Sequence, residues 1–317
     1  MKLSNLFSLI QNENMKIYRR LGTWVMIGLL VLASIAGAII TKATYKGPSD
    51  WKAEVKSDIS GAKAQLEEGS VQETYKEYLQ QQIKINEYRL EHNIKPIGSN
   101  TFWGYLIDSA DFIVLVTLFT IIIAAGSVAS EFSWGTIKML LIRPAGRAKI
   151  LLSKYITALL FAISMLALLF VVSAVSGAIL FGVETIREPY LAYQNGMVVE
   201  KNMLAHVLQV YALNCADLVM LATFAFMIST VFRNQSLAIG LATFSLFIGP
   251  QITYFLSLKF EWAKYILFAN TNLAQYIDGM SLVKGMTMTF SLTVLLVYFV
   301  VFNAVAWWIF QKRDVAA

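Results

Sequence analysis

With 317 residues, 57% of them hydrophobic and only 15% charged, the chain is too apolar for an ordinary soluble domain and falls among membrane proteins. One cysteine, Cys215, excludes an internal disulfide framework, and two histidines, His92 and His206, leave little for a His-based metal or acid–base centre. The net charge of +6 is a topology signal and not a nucleic-acid groove: the segments assigned inside hold twelve cations against three anions, the outer ones fourteen of each.

Residues 1–20 place Leu3, Leu6, Phe7, Ile10 and Ile17 on a loose helical stripe ending in Lys16, Arg19 and Arg20, which predicts an interfacial helix. The apolar run Leu21–Ile40 is too long for a signal-peptide core and long enough to span, despite the cleavage-like Ala36-Gly37-Ala38, so a first span is expected over 21–41. Residues 42–102 are a polar island with nine cations and nine anions. Apolar residues recur there at helical spacing on either side of Gly69-Ser70, which predicts an extracytoplasmic hairpin of two amphipathic helices. Its stripe of Tyr75, Tyr78 and Tyr88 is larger than a linker requires.

Further spans are expected over 103–130, 150–182, 203–232, 236–258 and 285–310, the fifth with a Gly249-Pro250 kink. Between them lie a cytoplasmic segment (131–149), an outer loop (183–202), a tight inner turn (233–235) and an outer or re-entrant piece (259–284) rich in Trp262, Tyr265, Phe268 and Tyr276. Residues 311–317, with Lys312 and Arg313, read as a cytoplasmic tail. The fold class is an all-α membrane protein of six transmembrane helices with both termini in the cytoplasm, in a bacterial cytoplasmic membrane.

The segment 131–149 and its continuation to Lys154 carry five Lys or Arg residues against one acid, and Phe132, Ile137, Leu140 and Leu141 fall at helical spacing before Pro144 and Gly146. This predicts a short amphipathic helix under the membrane. Glu131, Gly135-Thr136, Leu140-Leu141, Pro144, Arg147 and Lys154 sit in the order and spacing found after the second span of ABC transporter permeases of the type-2 exporter class, which the chain resembles over nearly its whole length. The resemblance implies a coupling helix docked on a separate ATPase, with Glu131, Phe132, Gly135, Thr136, Ile137, Leu140, Arg143, Pro144 and Arg147 at the contact. It also implies a second permease protomer, identical or similar, and export of a drug, antimicrobial peptide, lipid or polysaccharide.

The absences agree. No Gly-x-x-x-x-Gly-Lys-[Ser/Thr] occurs, so ATP and magnesium would bind the partner and this chain would hold no cofactor and catalyse nothing itself. His-Glu-x-x-His and Gly-x-Ser-x-Gly are also missing. Asp217, deep in the fourth span with Asn214 one turn earlier, is expected either to line a polar translocation path or to cement helix packing. Asp108 and Asp111 are expected at an outer rim. A secondary transporter or channel without an ATPase would want several intramembrane charges and paired broken helices, and the sequence offers one deep carboxylate and one Gly-Pro break. A membrane sensor or scaffold is a third reading.

Overall fold

The computed structural model describes residues 4–45, 47, 50–67, 73–133, 135, 146–194, 196–277, 279, 281–283 and 285–312. Among them, six helices are long and apolar enough to cross a membrane. These are α2 (Leu21–Thr44), the pair α5 (Phe102–Asp108) and α6 (Ile113–Ser133) joined through a 3-10 turn, α7 (Arg147–Phe181), α8 (Met203–Phe232), α9 (Gln235–Ser257) and α11 (Met288–Lys312). A shorter α1 (Ser4–Tyr18) precedes them, and a helical hairpin, α3 (Trp51–Glu67) and α4 (Glu73–His92), separates α2 from α5. At about 1.5 Å per residue the 35 residues of α7 outrun a hydrocarbon layer of about 30 Å.

Local chemistry sets several of the boundaries. Thr101, Asn202 and Asn234 are N-caps whose side-chain oxygens accept from the backbone N–H of Gly104, Ala205 and Leu237. Arg233 ends α8 in the left-handed region (φ 55°), which makes the turn into α9 only two residues long. The carbonyls left open at the end of α1 are taken up by α2, where Thr23 Oγ1 donates to Ile17 O (2.6 Å) and Trp24 Nε1 donates to Tyr18 O (2.9 Å).

The helices α6 and α8 form the centre, and their apolar windows are far more buried than those of α9 and α11. Small residues let them approach closely: Ala125 and Ala129 on α6 face Ser229 on α8, whose hydroxyl donates to Ala125 O (2.5 Å) and accepts from Ala129 N (3.0 Å). Hydroxyl pairs tie further helices together, with Ser34, Tyr105 and Ser173 linking α2, α5 and α7, and Tyr155 and Thr223 (2.7 Å) linking α7 to α8. The outer faces of α9 and α11 expose Phe244, Phe247, Phe255, Leu296, Val297 and Val300, as lipid-facing helices do.

The two ends of the bundle differ. One end, here the basic end, gathers α1, Arg147, Arg233 and Lys312. The other is covered by a cap. Its α3 and α4 bury Val55, Leu79, Ile83 and Ile85. The segment expected as an outer loop instead contains an antiparallel ribbon, β1 (Tyr190–Gln194) with β2 (Met197–Lys201), the one departure from an all-helical architecture among the described residues. The hairpin does not pack on itself alone: Lys84 Nζ donates to Tyr193 OH (2.8 Å) and Tyr88 OH donates to Glu200 Oε1 (3.3 Å), which lays α4 against the ribbon.

The piece after α9 is broken into a 3-10 turn (Glu261–Tyr265), a short α10 (Leu267–Thr271) and a second 3-10 turn (Leu273–Tyr276). Fully buried Asn270 holds it. Its Nδ2 donates to Lys264 O and Ile266 O, and its Oδ1 accepts from Ser291 on α11 (2.7 Å). Pro250 lies inside α9, and beside it Gly249 leaves room for the Phe268 ring, which a Cβ would meet at 2.4 Å.

Candidate functional site

The basic end holds a four-membered charge cluster drawn from three helices. Lys154, near the start of α7, places Nζ 2.8 Å from Glu13 Oε2 on α1 and 3.1 Å from Glu131 Oε1 near the end of α6. Lys16 on α1 closes the ring, with Nζ 2.7 Å from Glu13 Oε1 and 3.1 Å from Glu131 Oε1. The Lys154 side chain is 3% exposed and Lys16 is 42% exposed, so the ring has a buried and an open side. Two carboxylates and two ammonium groups alternate, which is how ions survive removal from water. Burial raises the pKa of Glu13, but the charges and hydrogen bonds of Lys154 and then Lys16 outweigh it, so the carboxyl is held below its ordinary value. Lys16 shifts the other way: burial lowers its pKa, and Glu13 and Glu131 more than reverse that.

This arrangement puts Glu131 in a different place from the one expected of a docking residue. It is buried within the chain and joins α6 to α7 and α1. Sequence reasoning missed Glu13 and Lys16 as its partners. The available signal was that Glu13 is the only acid among residues 1–20, in a segment otherwise basic.

Phe132 lies under Arg233, whose guanidinium carbon is 4.4 Å from the ring centroid, so it ties the end of α6 to the α8–α9 turn. Gly135 adopts φ +69°, a left-handed backbone conformation in which a side chain is strained. Arg147 Nη1 donates to Gln311 O (3.4 Å), linking the start of α7 to the end of α11. Thr136, Ile137, Leu140, Arg143 and Pro144 lie outside the described residues.

Asp217 is partly buried, and the Thr271 hydroxyl of α10 lies in its electrostatic neighbourhood. Asn214 turns back on its own helix, Nδ2 donating to Val210 O (3.0 Å), and no hydrogen bond joins the two side chains. Asp217 thus connects α8 to the broken segment after α9. Asp217→Leu, which takes a carboxyl away from the neighbouring Thr271 hydroxyl, is expected to destabilise the purified protein by about 1–3 kcal/mol, and Asp217→Asn by less. Thermal unfolding in detergent measures both, and equal shifts would refute this role.

At the cap end, Asp108 and Asp111 are both exposed, and the 3-10 turn Ser109–Phe112 that carries Asp111 separates α5 from α6. Asp108 borders a cavity of about 190 Å³ that Arg89, Lys95, Tyr190 and His206 also line. The Tyr190 and His206 rings stack with centroids 3.5 Å apart and planes 8° from parallel. Nothing in the sequence singled out Arg89 or Lys95 from the other cations of the hairpin.

The family described as protein of unknown function (DUF2705) matches residues 75–316, most of the chain. The chain belongs to that family. It is 48% identical over 316 residues to the uncharacterized protein YhcI of Bacillus subtilis (strain 168), covering 98% of this chain and 100% of YhcI. It is also 34% identical over 217 residues to the uncharacterized membrane protein YdbK of the same organism, covering 68% of this chain and 83% of YdbK. With six apolar helices of spanning length, this DUF2705 member is a multi-pass membrane protein.

Proposed function

We propose that the chain is the membrane-spanning permease subunit of an ATP-driven ABC exporter, carrying a hydrophobic or amphipathic cargo and paired with a separate ATPase and a second permease protomer. In this reading the basic end and both termini face the cytoplasm, and the α3–α4 hairpin and the ribbon stand outside. The observation that supports it most is the charge cluster. Glu131 and Lys154 flank the segment resembling a coupling helix, and both are locked to each other and to α1. A push on that segment would reach α1, α6 and α7 together, as transmission of a nucleotide-driven movement requires. A conformational change still needs a ligand that favours one state over the other, and ATP on the partner would supply that difference.

The test is purification of the affinity-tagged full chain from membranes of its own host after mild amine cross-linking, followed by peptide identification. A co-purifying ATPase with a Walker motif is expected, with less of it recovered from Ile137→Asp at equal membrane levels of the permease. Loss of a central apolar anchor costs such an interface about 2 kcal/mol or more, some thirtyfold in affinity. Recovery of the wild-type chain without any such ATPase would overturn the proposal.

A further inference from the structure

The cap cavity of about 190 Å³ is assembled from four separate stretches: the end of α4, the connector 93–101, the first turns of α5, and the junction of β1 with α8. At about 30 Å³ per water it has room for roughly six water-sized groups, which suits a small polar head and not a whole amphiphile. Its walls are chemically divided. Ile94, Ile97, Ile107, Leu191 and Met203 are apolar, and Arg89, Lys95 and Asp108 bring charges of both signs.

Arg89 decides the reading. Its Nε is buried and has no hydrogen-bond partner among the described residues. A guanidinium fork is built to hold oxyanions, and the Arg89 side chain lines the cavity, although the buried Nε itself presents no surface to it. Lys95, exposed on the same cavity, adds a second cation and already lies in the field of Glu188. Asp108 stands exposed at the rim, where it can accept from an ammonium group. Beside them the stacked Tyr190–His206 pair gives a flat, rigid wall.

We infer that this cavity binds the zwitterionic head of an amphipathic molecule, its oxyanion on Arg89 and Lys95 and its cationic nitrogen on Asp108. The apolar walls would receive the first carbons of the tail. The inference does not depend on ATP coupling, because the site needs only this chain.

Native mass spectrometry of the full chain in detergent tests it with four probes: phosphatidylethanolamine, phosphatidylglycerol and diacylglycerol of matched acyl chains, and water-soluble phosphoethanolamine. Phosphatidylethanolamine is expected to bind at least about tenfold more tightly than diacylglycerol, a difference of about 1.4 kcal/mol. Arg89→Gln and Lys95→Gln should each weaken both phospholipids. Asp108→Asn should abolish the preference for phosphatidylethanolamine over phosphatidylglycerol and leave phosphate binding intact. Equally tight binding of soluble phosphoethanolamine would keep the head-group site and assign it a soluble ligand. Lys95 and Asp108 are exposed, so their variants read out the site even where Arg89→Gln does not assemble. Diacylglycerol binding as tightly as the charged lipids, or unchanged binding of every probe to Lys95→Gln and Asp108→Asn, would overturn the inference.

Discussion

Lys154→Met is expected to lower the unfolding temperature of the purified protein by about 5–10 °C, the largest effect of any single charge change among the described residues of the basic end. The side chain is 3% exposed and faces two carboxylates at 2.8 and 3.1 Å. Removing one partner of a buried ion pair costs about 3–5 kcal/mol, because the charge left behind stays desolvated without compensation. Lys16 remains beside both carboxylates, which holds the expected loss near the lower end, about 3 kcal/mol. The apolar double change Glu131→Leu/Lys154→Met removes the pair together and should recover most of the loss, with Glu13 still bound to Lys16. A shift of less than about 1 °C for Lys154→Met would show that the cluster contributes nothing.

The same cluster fixes the sign of a pH dependence. Glu13 has a folded-state pKa below its unfolded value, so its contribution is present above the unfolded value of about 4.3 and is lost as pH falls through the folded one. Lys16 is raised, so its contribution is present below about 10.4 and is lost as pH rises through the folded value. Acid below about pH 4 should therefore loosen α1 from α6 and α7. Glu13→Gln should flatten that acid limb in a thermal melt.

The second large effect is expected at the other end. A Cβ at residue 104 would lie 2.0 Å from Gly98 O and 2.6 Å from Gly98 C, backbone atoms that no rotamer change can move aside. They are held in place locally: Thr101 Oγ1 donates to Gly98 O (2.8 Å) and accepts from Gly104 N (3.1 Å). Gly104→Ala must push the connector off α5, at about 3 kcal/mol or more, the upper part of the range for single substitutions. Gly240→Ala in α9 is the control. Nothing lies within 4 Å of its added methyl, and alanine favours the helix by about 0.5–1 kcal/mol. Unfolding curves for the two variants should move in opposite directions.

The spans were legible because each is a long apolar run between polar segments, a pattern that needs no knowledge of neighbours. The helical hairpin was legible for a similar reason, since its apolar residues recur at a helix period on both sides of Gly69-Ser70. The ribbon within 190–201 reads in sequence as part of an outer loop, although Asn195-Gly196 between Tyr- and Val-bearing runs is the dipeptide that two-residue hairpins prefer, and Gly196 has φ +88°. The long apolar helix signals on either side mask so short a strand pattern. The partners of Glu131 and Lys154 were hidden for a different reason. Glu13 lies 141 residues from Lys154, and only packing brings α1 beside α7. The orphaned Arg89 Nε is likewise a property of the folded surroundings, because in sequence Arg89 is one cation among nine between residues 42 and 102.

The union of α4 with the ribbon has a consequence for how the chain is made. Lys84 and Tyr193 are 109 residues apart, which at about 5–20 residues per second is roughly 5–20 s of synthesis. Throughout that interval the hairpin has left the ribosome while the surface that will cover it does not yet exist. Met203 and His206, which complete the cap cavity, emerge later still. Three spanning helices must therefore be placed in the membrane before the cap can close, and the ribbon-facing side of the nascent hairpin stays uncovered in the meantime.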